Sequence, residues 1–405
     1  MPFEVPNSWV WCRLEDIAYV ASGSTPDKTC FVENGVPYIK MYNLRNQKID
    51  FAYHPQYITE EVHNGKLQRS RTEVGDLIMN IVGPPLGKLA IIPTTLPQAN
   101  FNQAAVLIRP YKFKEVLVSY LKVYLEEMSE INSIATRGSA GQVNISLTQS
   151  QNMRIPIPPL NEVRRIIEEV SKYDILIDSL KQNITDIQNL IAYTKSKILD
   201  LAIHGKLVPQ DPNDELAIEL LKRINPDFTP CDNGHSRKLP QGWAYCQLSN
   251  VLKITMGQSP KGDSLNNKRG IEFHQGKICF SDKFLLESGI FTNEPTKIAE
   301  PNSILLCVRA PVGVVNITKN QICIGRGLCA LTPFEGNVDF YFYLLQTLQD
   351  SFDNQSTGTT FKAISGEIIR NENIILPPLA EQQRIVQKIE ELFHVFDNIQ
   401  NALEV

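Results

Sequence analysis

The sequence has no apolar stretch near the ~20 residues that a membrane-spanning helix needs, and Met1 to Pro6 show no basic region followed by an apolar run. We therefore expect neither a signal peptide nor a membrane anchor, and a cytoplasmic protein. The eight cysteines form no C-x-x-C pair, and no histidine lies near them at zinc-ligand spacing. We expect no metal site, and we expect most of these thiols to be buried and reduced.

Motifs of catalysis are also missing. The segment Gly83 to Leu89 is the nearest approach to a phosphate-binding loop, but it is one residue short between its glycines and has Leu89 where a magnesium-binding hydroxyl is needed. No lysine has Asp or Glu two positions before it, as common metal-dependent nucleases require. The Pro84-Pro85 pair lacks the acidic or Asn residue and the aromatic residue that flank such a pair in adenine methyltransferases. The sequence therefore favours a binding module over an enzyme.

The net charge of −4 gives little general attraction for nucleic acid, and its distribution is uneven. Residues 1–158 carry 15 Lys+Arg against 14 Asp+Glu, and residues 238–378 carry 13 against 12, so each segment has a net charge of +1. The excess of acidic residues lies in segments 159–237 and 379–405. Any basic surface must therefore be local, and non-specific phosphate binding by the chain alone should be modest.

The chain repeats its own ends. Val5-Pro6-Asn7-Ser8-Trp9 to Leu14 returns as Leu239-Pro240-Gln241-Gly242-Trp243 to Leu248, at an offset of 234, and Gly23-Ser24-Thr25-Pro26 returns as Gly257-Gln258-Ser259-Pro260. Ile155 to Glu162 returns as Ile374 to Glu381, at an offset of 219. The middles match weakly. This pattern indicates two copies of one scaffold with kept ends and divergent middles.

Each copy has mixed secondary-structure signals followed by a clear helix. We predict buried strands at Leu77 to Val82 and Ile304 to Val308, and helices at Val116 to Met128 and Val338 to Leu348. Gly and Pro divide the rest into short loops. Trp9 and Trp243 are predicted to be core anchors. Each copy is therefore expected to be an α+β domain that is rich in strands and loops.

The helices carry an a/d seam, in which apolar residues alternate at spacings of four and three, with Thr194 in one gap. Two such seams in one chain are expected to pack antiparallel as coiled-coil helices. The first helix is expected to end at His204-Gly205, where glycine suits a left-handed cap. The seam residues are Ile166, Val170, Tyr173, Ile177, Leu180, Ile184, Ile187, Ile191, Ile198, Leu201, and then Ile385, Ile389, Leu392, Phe396, Ile399 and Leu403.

The first seam is longer than the second. At 1.5 Å per residue, Ile166 to Leu201 spans ~53 Å, whereas Ile385 to Leu403 spans ~27 Å. An antiparallel partner of that length would cover roughly Ile184 to Leu201. The remaining seam is expected to be covered by a partner subunit, a separately encoded helix or a second copy of the protein, unless it packs on its own first domain.

These features together resemble the specificity subunits of type I restriction–modification systems. Pro-Pro-Leu closes each domain before a heptad helix, Leu379 to Ile385 is similar to the family's usual helix opening, and Leu201 to Gln210 looks like its post-helix segment. Asn102-Gln103 resembles a family motif, although the second copy has Gly325-Arg326 instead. The resemblance covers nearly the whole chain.

The resemblance implies two target-recognition domains, at residues 1–158 and 238–378. The first helix and its cap occupy 159–212, a linker 213–237, and a shortened second helix 379–405. Each domain would read one half of a split double-stranded DNA target. The helices would set the spacing and dock two methyltransferase subunits, with motor-nuclease subunits in the full complex. S-adenosylmethionine, ATP and Mg²⁺ would be bound by those partners and not by this chain, which is expected to be non-catalytic.

Base and phosphate contacts need Arg, Lys, Asn, Gln or His on loops that face the groove. The same residue types also occur as plain surface charges and in turns. The candidates for DNA contact are Lys40, Asn43, Arg45, Arg69, Arg71, Lys88, Asn102, Gln103, Arg137 and Gln142 in the first domain, and Lys261, Lys268, Arg269, His274, Gln275, Lys277, Arg309, Arg326 and Lys362 in the second.

Two other functions remain open at the level of sequence. An orphan DNA-binding adaptor without a restriction partner would carry the same motifs, and capture of a methyltransferase would distinguish it. A coiled-coil scaffold that binds no DNA would carry the same helices, and a gel shift with added methyltransferase subunit would distinguish it.

Overall fold

The structure is a computed structural model that describes residues 3–83, 86–131, 144–230, 239–358 and 362–403. The chain forms two compact units, residues 1–180 and residues 181–405. One long helix, Leu160–Ile203, belongs to both. None of the helices within the described residues is both long and apolar enough to cross a membrane.

The described residues of the first unit form twelve strands and four α-helices before the long helix. The strands are β1 Val10–Arg13, β2 Ala18–Ser22, β3 Phe31–Val32, β4 Val36–Ile39, β5 Leu44–Arg45, β6 Lys48–Ile49, β7 Tyr57–Ile58, β8 Leu77–Asn80, β9 Leu89–Ile91, β10 Asn100–Phe101, β11 Ala105–Pro110 and β12 Arg154–Ile157. The helices are α1 Leu14–Ile17, α2 Glu60–Asn64, α3 Lys114–Ile131, α4 Leu147–Gln151 and the long α5 Leu160–Ile203.

The second unit repeats this plan. Its helices are α6 Ala217–Ile224, α7 Leu248–Val251, α8 Val338–Thr347, α9 Gln349–Gln355, α10 Gly366–Asn371 and α11 Leu379–Leu403. Its strands are β13 Ala244–Gln247, β14 Leu252–Met256, β15 Leu265–Asn266, β16 Ile271–His274, β17 Phe291–Thr292, β18 Ile298–Ala299, β19 Ile304–Cys307, β20 Val315–Ile317, β21 Ile322–Ile324, β22 Leu328–Pro333 and β23 Asn373–Leu376. The predicted α+β fold is confirmed. The strands and helices that were predicted in the middle of each copy are confirmed as well.

Sheet topology establishes the duplication in three dimensions. The order β2-β11-β8-β9 in the first domain corresponds to β14-β22-β19-β20 in the second, and both sheets are antiparallel. The order β3-β7-β4-β10 corresponds to β15-β17-β16-β21, with a parallel last pair in each, and β18 extends the second copy. A two-stranded ribbon, β1-β12 or β13-β23, closes each domain before its long helix.

The sequence segments that the two copies share at their ends form these closing ribbons. In the first copy, Trp11 of β1 lies opposite Pro156 of β12; in the second, Tyr245 lies opposite Ile375. β1 ends at Arg13 and β12 begins at Arg154, 141 residues later, so the ends that the two copies share are the parts that close each domain. The two domains have separate cores, with Leu14, Leu77 and Val106 in the first and Leu248, Ile304 and Leu331 in the second.

The segment predicted as a linker, 213–237, is partly folded. Its helix α6 buries Ala217, Leu220 and Leu221 in the core of the second domain, and the backbone N–H of Ala217 donates to Gly242 O at 2.9 Å. An apolar face at helical spacing explains why this stretch does not remain a loose connection. Residues 231–238, including Cys231, lie outside the described residues.

The helices of the second unit pack antiparallel, as predicted. Lys195 of α5 forms an ion pair with Asp397 of α11 at 2.6 Å, while Gln210, beyond the end of α5, reaches Glu381 near the start of α11 at 3.1 Å. Ile191, Ile198, Ile385 and Ile389 of the predicted seam are buried, and Leu392 and Phe396 pack against the same core.

The predicted seam departs from the observed one at the end of α5. Leu201 is 40% exposed, whereas Leu199 and Ala202 are buried. A straight helix with 3.6 residues per turn drifts relative to a repeat of 3.5, so the buried face rotates away from the heptad register. Ile187 and Ile399 are also partly exposed, at 39% and 43%. Ile184, Thr194 and Leu403 are half-buried.

The N-terminal half of α5 has a part that is covered by the first domain, followed by a part that is exposed. Val163 is buried in the core of the first domain, Ile166 and Ile167 pack against that core, and Val170 is half-buried. Ile166 is therefore covered by its own domain, contrary to its place in the expected open seam. From Tyr173 onward the apolar residues are exposed: Tyr173 62%, Ile175 70%, Leu176 54%, Ile177 46% and Leu180 53%.

Seven cysteines among the described residues are free thiols, of which Cys246, Cys307, Cys323 and Cys329 are buried. Burial raises the pKa of Cys307 to about 11 and that of Cys329 to about 12. The thiols of Cys307 and Cys329 are therefore protonated at neutral pH, and four of the seven described cysteines are buried, as predicted for most of them.

Candidate nucleic-acid interface

Three loops of the first domain meet at one edge of its sheets. The N–H of Ser24, which follows β2, donates to Phe101 O at 3.1 Å, and the N–H of Asn102, which follows β10, donates to Ile39 O at 3.1 Å. A Cβ at Gly23 would lie 2.2 Å from Asn102 O, so only glycine permits this approach of the two backbones. The edge therefore presents the residues after β2, β4 and β10 side by side.

The second domain builds the same edge with the same hydrogen bonds. Gln258 N donates to Ile324 O at 2.9 Å, and Gly325 N donates to His274 O at 2.8 Å. A Cβ at Gly257 would lie 2.1 Å from Gly325 O, and one at Gly327 would lie 2.3 Å from Gln275 O. The backbone frame is thus shared between the two domains.

The side chains on this shared frame differ. The topology places Lys40 at the position of Gln275, Asn102 at that of Gly325, and Gln103 at that of Arg326. A rigid frame with different hydrogen-bonding groups is an arrangement that allows two domains to recognise different partners of the same class. The chemistry of these groups, which are amides, a guanidinium and amines, suits base edges and phosphates.

Several predicted DNA contacts of the first domain lie on exposed surface. Arg45, Arg69 and Gln103 are exposed, and Lys40, Arg71, Lys88 and Asn102 are half-buried. The exposed Arg69 guanidinium donates to Ser24 Oγ at 3.0 Å, which places it at the same edge. Arg137 and Gln142 lie outside the described residues.

Arg45 is held by its own hairpin. Its guanidinium lies 4.1 Å from the centre of the Tyr53 ring, and its Nε lies 3.7 Å from Asp50. The turn between β5 and β6 has Asn46 and Gln47 at positive φ, which suits a tight hairpin. The Gln47 side chain ties this turn to the core sheet, because its Oε1 accepts from Leu89 N at 2.7 Å.

Asn43 and His274 do not fit the prediction that they contact DNA. Asn43 is fully buried, and its side chain accepts from Lys40 N and donates to Asp50 O and Tyr53 O, so it shapes the turn instead. His274 is 2% exposed, and its Nε2 lies 3.2 Å from Glu272. Burial lowers the pKa of His274, while Glu272 opposes that shift.

Arg71 and Lys362 make local contacts. Arg71 donates to His63 O at 3.1 Å and to Asn64 Oδ1 at 2.7 Å, and therefore ties its loop to α2. Lys362 is exposed and forms an ion pair with Asp353 at 2.6 Å. Arg71 and Lys362 therefore each stabilise the protein's own structure, and a contact with DNA would come in addition to that role.

The remaining candidates of the second domain are exposed. Arg326 lies at the shared edge, where its N–H is 3.4 Å from Ser259 Oγ, and Gln275 and Lys277 follow β16 at the same place. Lys268 and Arg269 stand on a turn whose N–H groups donate to Asn266 Oδ1 at 3.0 and 2.8 Å. Lys261 and Arg309 are also exposed.

Ile278 was missed by the sequence reasoning, which considered only polar side chains. It stands on the 3-10 turn Lys277–Cys279, which is separated from the end of β16 by two residues, and it is 97% exposed. The corresponding turn of the first domain is Met41–Asn43, which begins one residue earlier relative to its strand and has Tyr42 as its middle residue. An apolar side chain can contact the methyl group of thymine. The signal in the sequence would have been an isolated Ile between Lys277 and Cys279 in a polar loop.

Two domains with the same backbone frame and a polar edge on each define a class of protein with paired modules for recognising an extended polar target. The described residues hold no cluster of metal-ligating side chains. The family model for the type I restriction modification DNA specificity domain matches residues 6–189 and again residues 240–405. The chain therefore belongs to the type I restriction–modification specificity family, as the subunit that recognises DNA sequence, with two copies of that domain.

Relatives match over almost the full chain. A Methanocaldococcus jannaschii protein named as the type I restriction enzyme MjaX specificity subunit is 28% identical over 96% of this chain and 88% of its own length. The type I restriction enzyme EcoAI specificity subunit of Escherichia coli is 24% identical over 100% of this chain and 80% of its own.

Solved structures share the fold. A chain from work on complex assembly and conformational transition of the type I R-M system aligns with a TM-score of 0.64 at 25% identity, over 100% of this chain and 94% of that one. The HsdS subunit from Thermoanaerobacter tengcongensis aligns with a TM-score of 0.57 at 24% identity, over 100% and 92% of the two chains.

Proposed function

We propose that this chain directs a type I restriction–modification complex to a two-part DNA sequence, one half of which is read by each domain. The observation that supports this most is the shared edge, where one backbone frame carries Lys40, Asn102 and Gln103 in the first domain and Gln275, Gly325 and Arg326 in the second. Amide and guanidinium groups form paired hydrogen bonds with purine edges in the major groove. Different side chains on equal frames would give two different half-sites.

The roles within each edge follow from chemistry. Arg326, Gln103 and Gln275 are the candidates for base reading, because they are exposed and project from a backbone fixed by glycines. Lys261, Lys268 and Arg269 stand on exposed turns and suit phosphate contacts, which position the protein on the duplex. Ile278 would supply the apolar contact to thymine.

The partners would be two methyltransferase subunits and, in the full complex, motor-nuclease subunits. They would bring S-adenosylmethionine, ATP and Mg²⁺, and the exposed apolar residues from Tyr173 to Leu180 of α5 would receive a methyltransferase subunit. A coiled-coil scaffold without DNA would have no use for the two matched polar edges.

The direct test is to map methylated adenines in DNA that was exposed to the complex of this chain with its methyltransferase subunits. A two-part consensus sequence with a fixed gap is expected. Methylation without a consensus, or no specific retention of duplex by the complex in a gel shift, would refute the proposal.

Arg326→Ala in the complex is expected to weaken binding to the mapped target by ~1–3 kcal/mol and to relax the sequence preference at one position of one half-site. The reason is the loss of a paired contact at the shared edge. Titration of labelled target and of single-base variants measures both effects. Lys222→Ala, on α6 and away from this edge, is the charge-matched control. An equal loss on all sequences, with a shallower salt dependence, would assign Arg326 to a phosphate instead.

Purified alone, the chain is expected to neither cut nor methylate DNA, with or without Mg²⁺, ATP and S-adenosylmethionine. The reason is the missing nuclease, nucleotide-binding and methyltransferase motifs. Incubation with target DNA, followed by gel analysis and by transfer of a labelled methyl group, tests this. Turnover that persists in a preparation free of partner subunits would contradict it.

A further inference from the structure

The first domain has a hairpin that the second domain does not have. Between β4 and β7, residues 40–56 form the strands β5 and β6, in which Arg45 lies opposite Lys48. The equivalent segment of the second domain, residues 275–290 between β16 and β17, is described throughout and contains the 3-10 turn Lys277–Cys279 but no strand. The hairpin is therefore a point at which two otherwise similar frames differ.

The two segments also differ in charge. Residues 40–56 carry three Lys+Arg against one acidic residue, so their net charge is +2, whereas residues 275–290 carry two against two. Since the first domain as a whole is almost neutral, the hairpin is one of the places where its positive charge is concentrated. A two-stranded ribbon with this charge has the shape and the sign that suit the major groove of DNA.

The hairpin lies at the same end of the core sheet as the shared edge. Its turn is tethered to Leu89, the first residue of β9, whose N–H donates to Gln47 Oε1 at 2.7 Å. β9 pairs with β8, and Asn80 at the end of β8 pairs with Ala105, whose carbonyl accepts from Gly23 N at 3.1 Å. The turn of the hairpin and the glycine of the shared edge are thus held by adjoining strand ends.

The backbone of the hairpin is fixed from inside. The buried Asn43 side chain donates to Asp50 O at 3.1 Å and to Tyr53 O at 2.7 Å. Asn46 and Gln47 have φ values of +49° and +55°, as both central residues of a two-residue hairpin turn require. Side chains on such a turn are presented with little loss of backbone entropy on binding.

Arg45 is held in one orientation with its terminal nitrogens open. The centre of its guanidinium lies 4.1 Å from the centre of the Tyr53 ring, and its Nε lies 3.7 Å from Asp50. The terminal nitrogens donate to no group in the described part of the chain, and the residue is exposed. A cleft of about 540 Å³, lined in part by Tyr42, Arg45 and Lys88, gives room for a ligand beside them.

We propose that Arg45 reads a guanine of the first half-site, so that the hairpin supplies a base contact that the second domain does not have. The inference rests on the proposed function and adds a residue outside the shared edge. The two donors of a planar guanidinium match the O6 and N7 acceptors of guanine, whereas adenine presents a donor in place of O6. Tyr53 acts as a positioning residue, because its ring fixes the plane of the guanidinium.

The test is to map methylated adenines with the Arg45→Gln complex, after exchange of residues 1–158 has shown which half-site belongs to the first domain. A side-chain amide pairs with N6 and N7 of adenine. One guanine of the first half-site is therefore expected to be replaced by adenine, or to lose its preference, while the second half-site is unchanged. In titrations of labelled duplex, the Arg45→Gln complex is expected to bind the original target about 10- to 100-fold more weakly.

Tyr53→Leu tests the positioning role, because it removes the ring and keeps Arg45. It is expected to reduce the discrimination between guanine and adenine at that same position by about tenfold, and to change discrimination at no other position. A variant that only unfolded the domain would instead lose preference at every position of the half-site. Circular dichroism melting of each variant checks the fold independently.

Lys48→Gln is the matched control, since Lys48 is an exposed cation directly opposite Arg45 on the same hairpin. Its loss is expected to weaken binding equally on all sequences and to leave the mapped target unchanged. An unchanged first half-site with Arg45→Gln, a uniform loss on all sequences like that of Lys48→Gln, or a first half-site without a specified guanine would overturn the inference. These results leave a two-part target in place, whereas the absence of any two-part target with the unaltered chain would refute the proposed function itself.

Discussion

Replacing residues 1–158 by the corresponding domain of another family member is expected to change one half of the recognised DNA sequence and to leave the other half unchanged. The physical reason is that each domain has its own core and its own polar edge. The closing ribbon β1-β12 lies wholly within the exchanged piece, so its register is transferred intact. Maps of methylated adenines before and after the exchange measure the result.

The structure also refines where the junction should be. Val163 is buried in the core of the first domain, and Ile166 and Ile167 pack against it, so a junction at Pro158 leaves these residues against a foreign core. We expect an exchange of residues 1–170 to have the same altered specificity as an exchange of 1–158, with a higher melting temperature. Exchange of residues 238–378 is the reciprocal control, which should change the other half-site alone. A simultaneous change of both half-sites by either exchange would contradict independent reading.

The sequence predicted those parts of the fold that depend on patterns repeated along the chain. The offsets of 234 and 219 predicted two copies of one scaffold, and the structure adds that the repeated ends pair with each other in the ribbons β1-β12 and β13-β23. The heptads predicted antiparallel helices because an apolar stripe of that length must be buried. Both predictions rest on periodicity and self-similarity, which a single sequence displays directly.

The candidate site was harder to predict, because residue type does not reveal how a side chain is used. Asn43 and Gln103 are both polar loop residues, yet Asn43 fills a turn and Gln103 faces solvent. His274 lies in the last position of a strand whose register is set by β21, where its partner Ile324 is 50 residues away in the chain. Ile278 is the reverse case, because it is an apolar residue that its turn exposes, and the candidates for DNA contact were sought only among polar residue types. Tertiary packing decided each case.

The apolar stripe on α5 carries the second large expected effect. Tyr173, Leu176, Ile177 and Leu180 follow one another at spacings of three, one and three, and each is about half-exposed or more. An apolar side chain that becomes fully buried contributes ~1.5–3 kcal/mol, and a stripe of this kind on a surface helix marks an interface. The stripe begins where the cover of the first domain ends, after Val170.

Ile177→Glu with Leu180→Glu is therefore expected to weaken association with the methyltransferase subunits by ~100-fold or more, because two buried side chains are lost and two charges are placed in an apolar contact. Co-sedimentation of the purified subunits measures the association. The thermal unfolding of the chain alone should change little, because both residues are about half-exposed in it. Ser171→Glu with Gln182→Glu is the matched control, since it introduces the same two charges at exposed positions on the opposite face of the helix. Unchanged association of the double variant would contradict a role for the stripe in docking the methyltransferase, whereas conversion of a dimer of this chain into a monomer would show that the stripe serves a second copy instead.

Ile166→Glu acts differently, because Ile166 packs on the core of the first domain, and it should lower the melting temperature of the isolated chain.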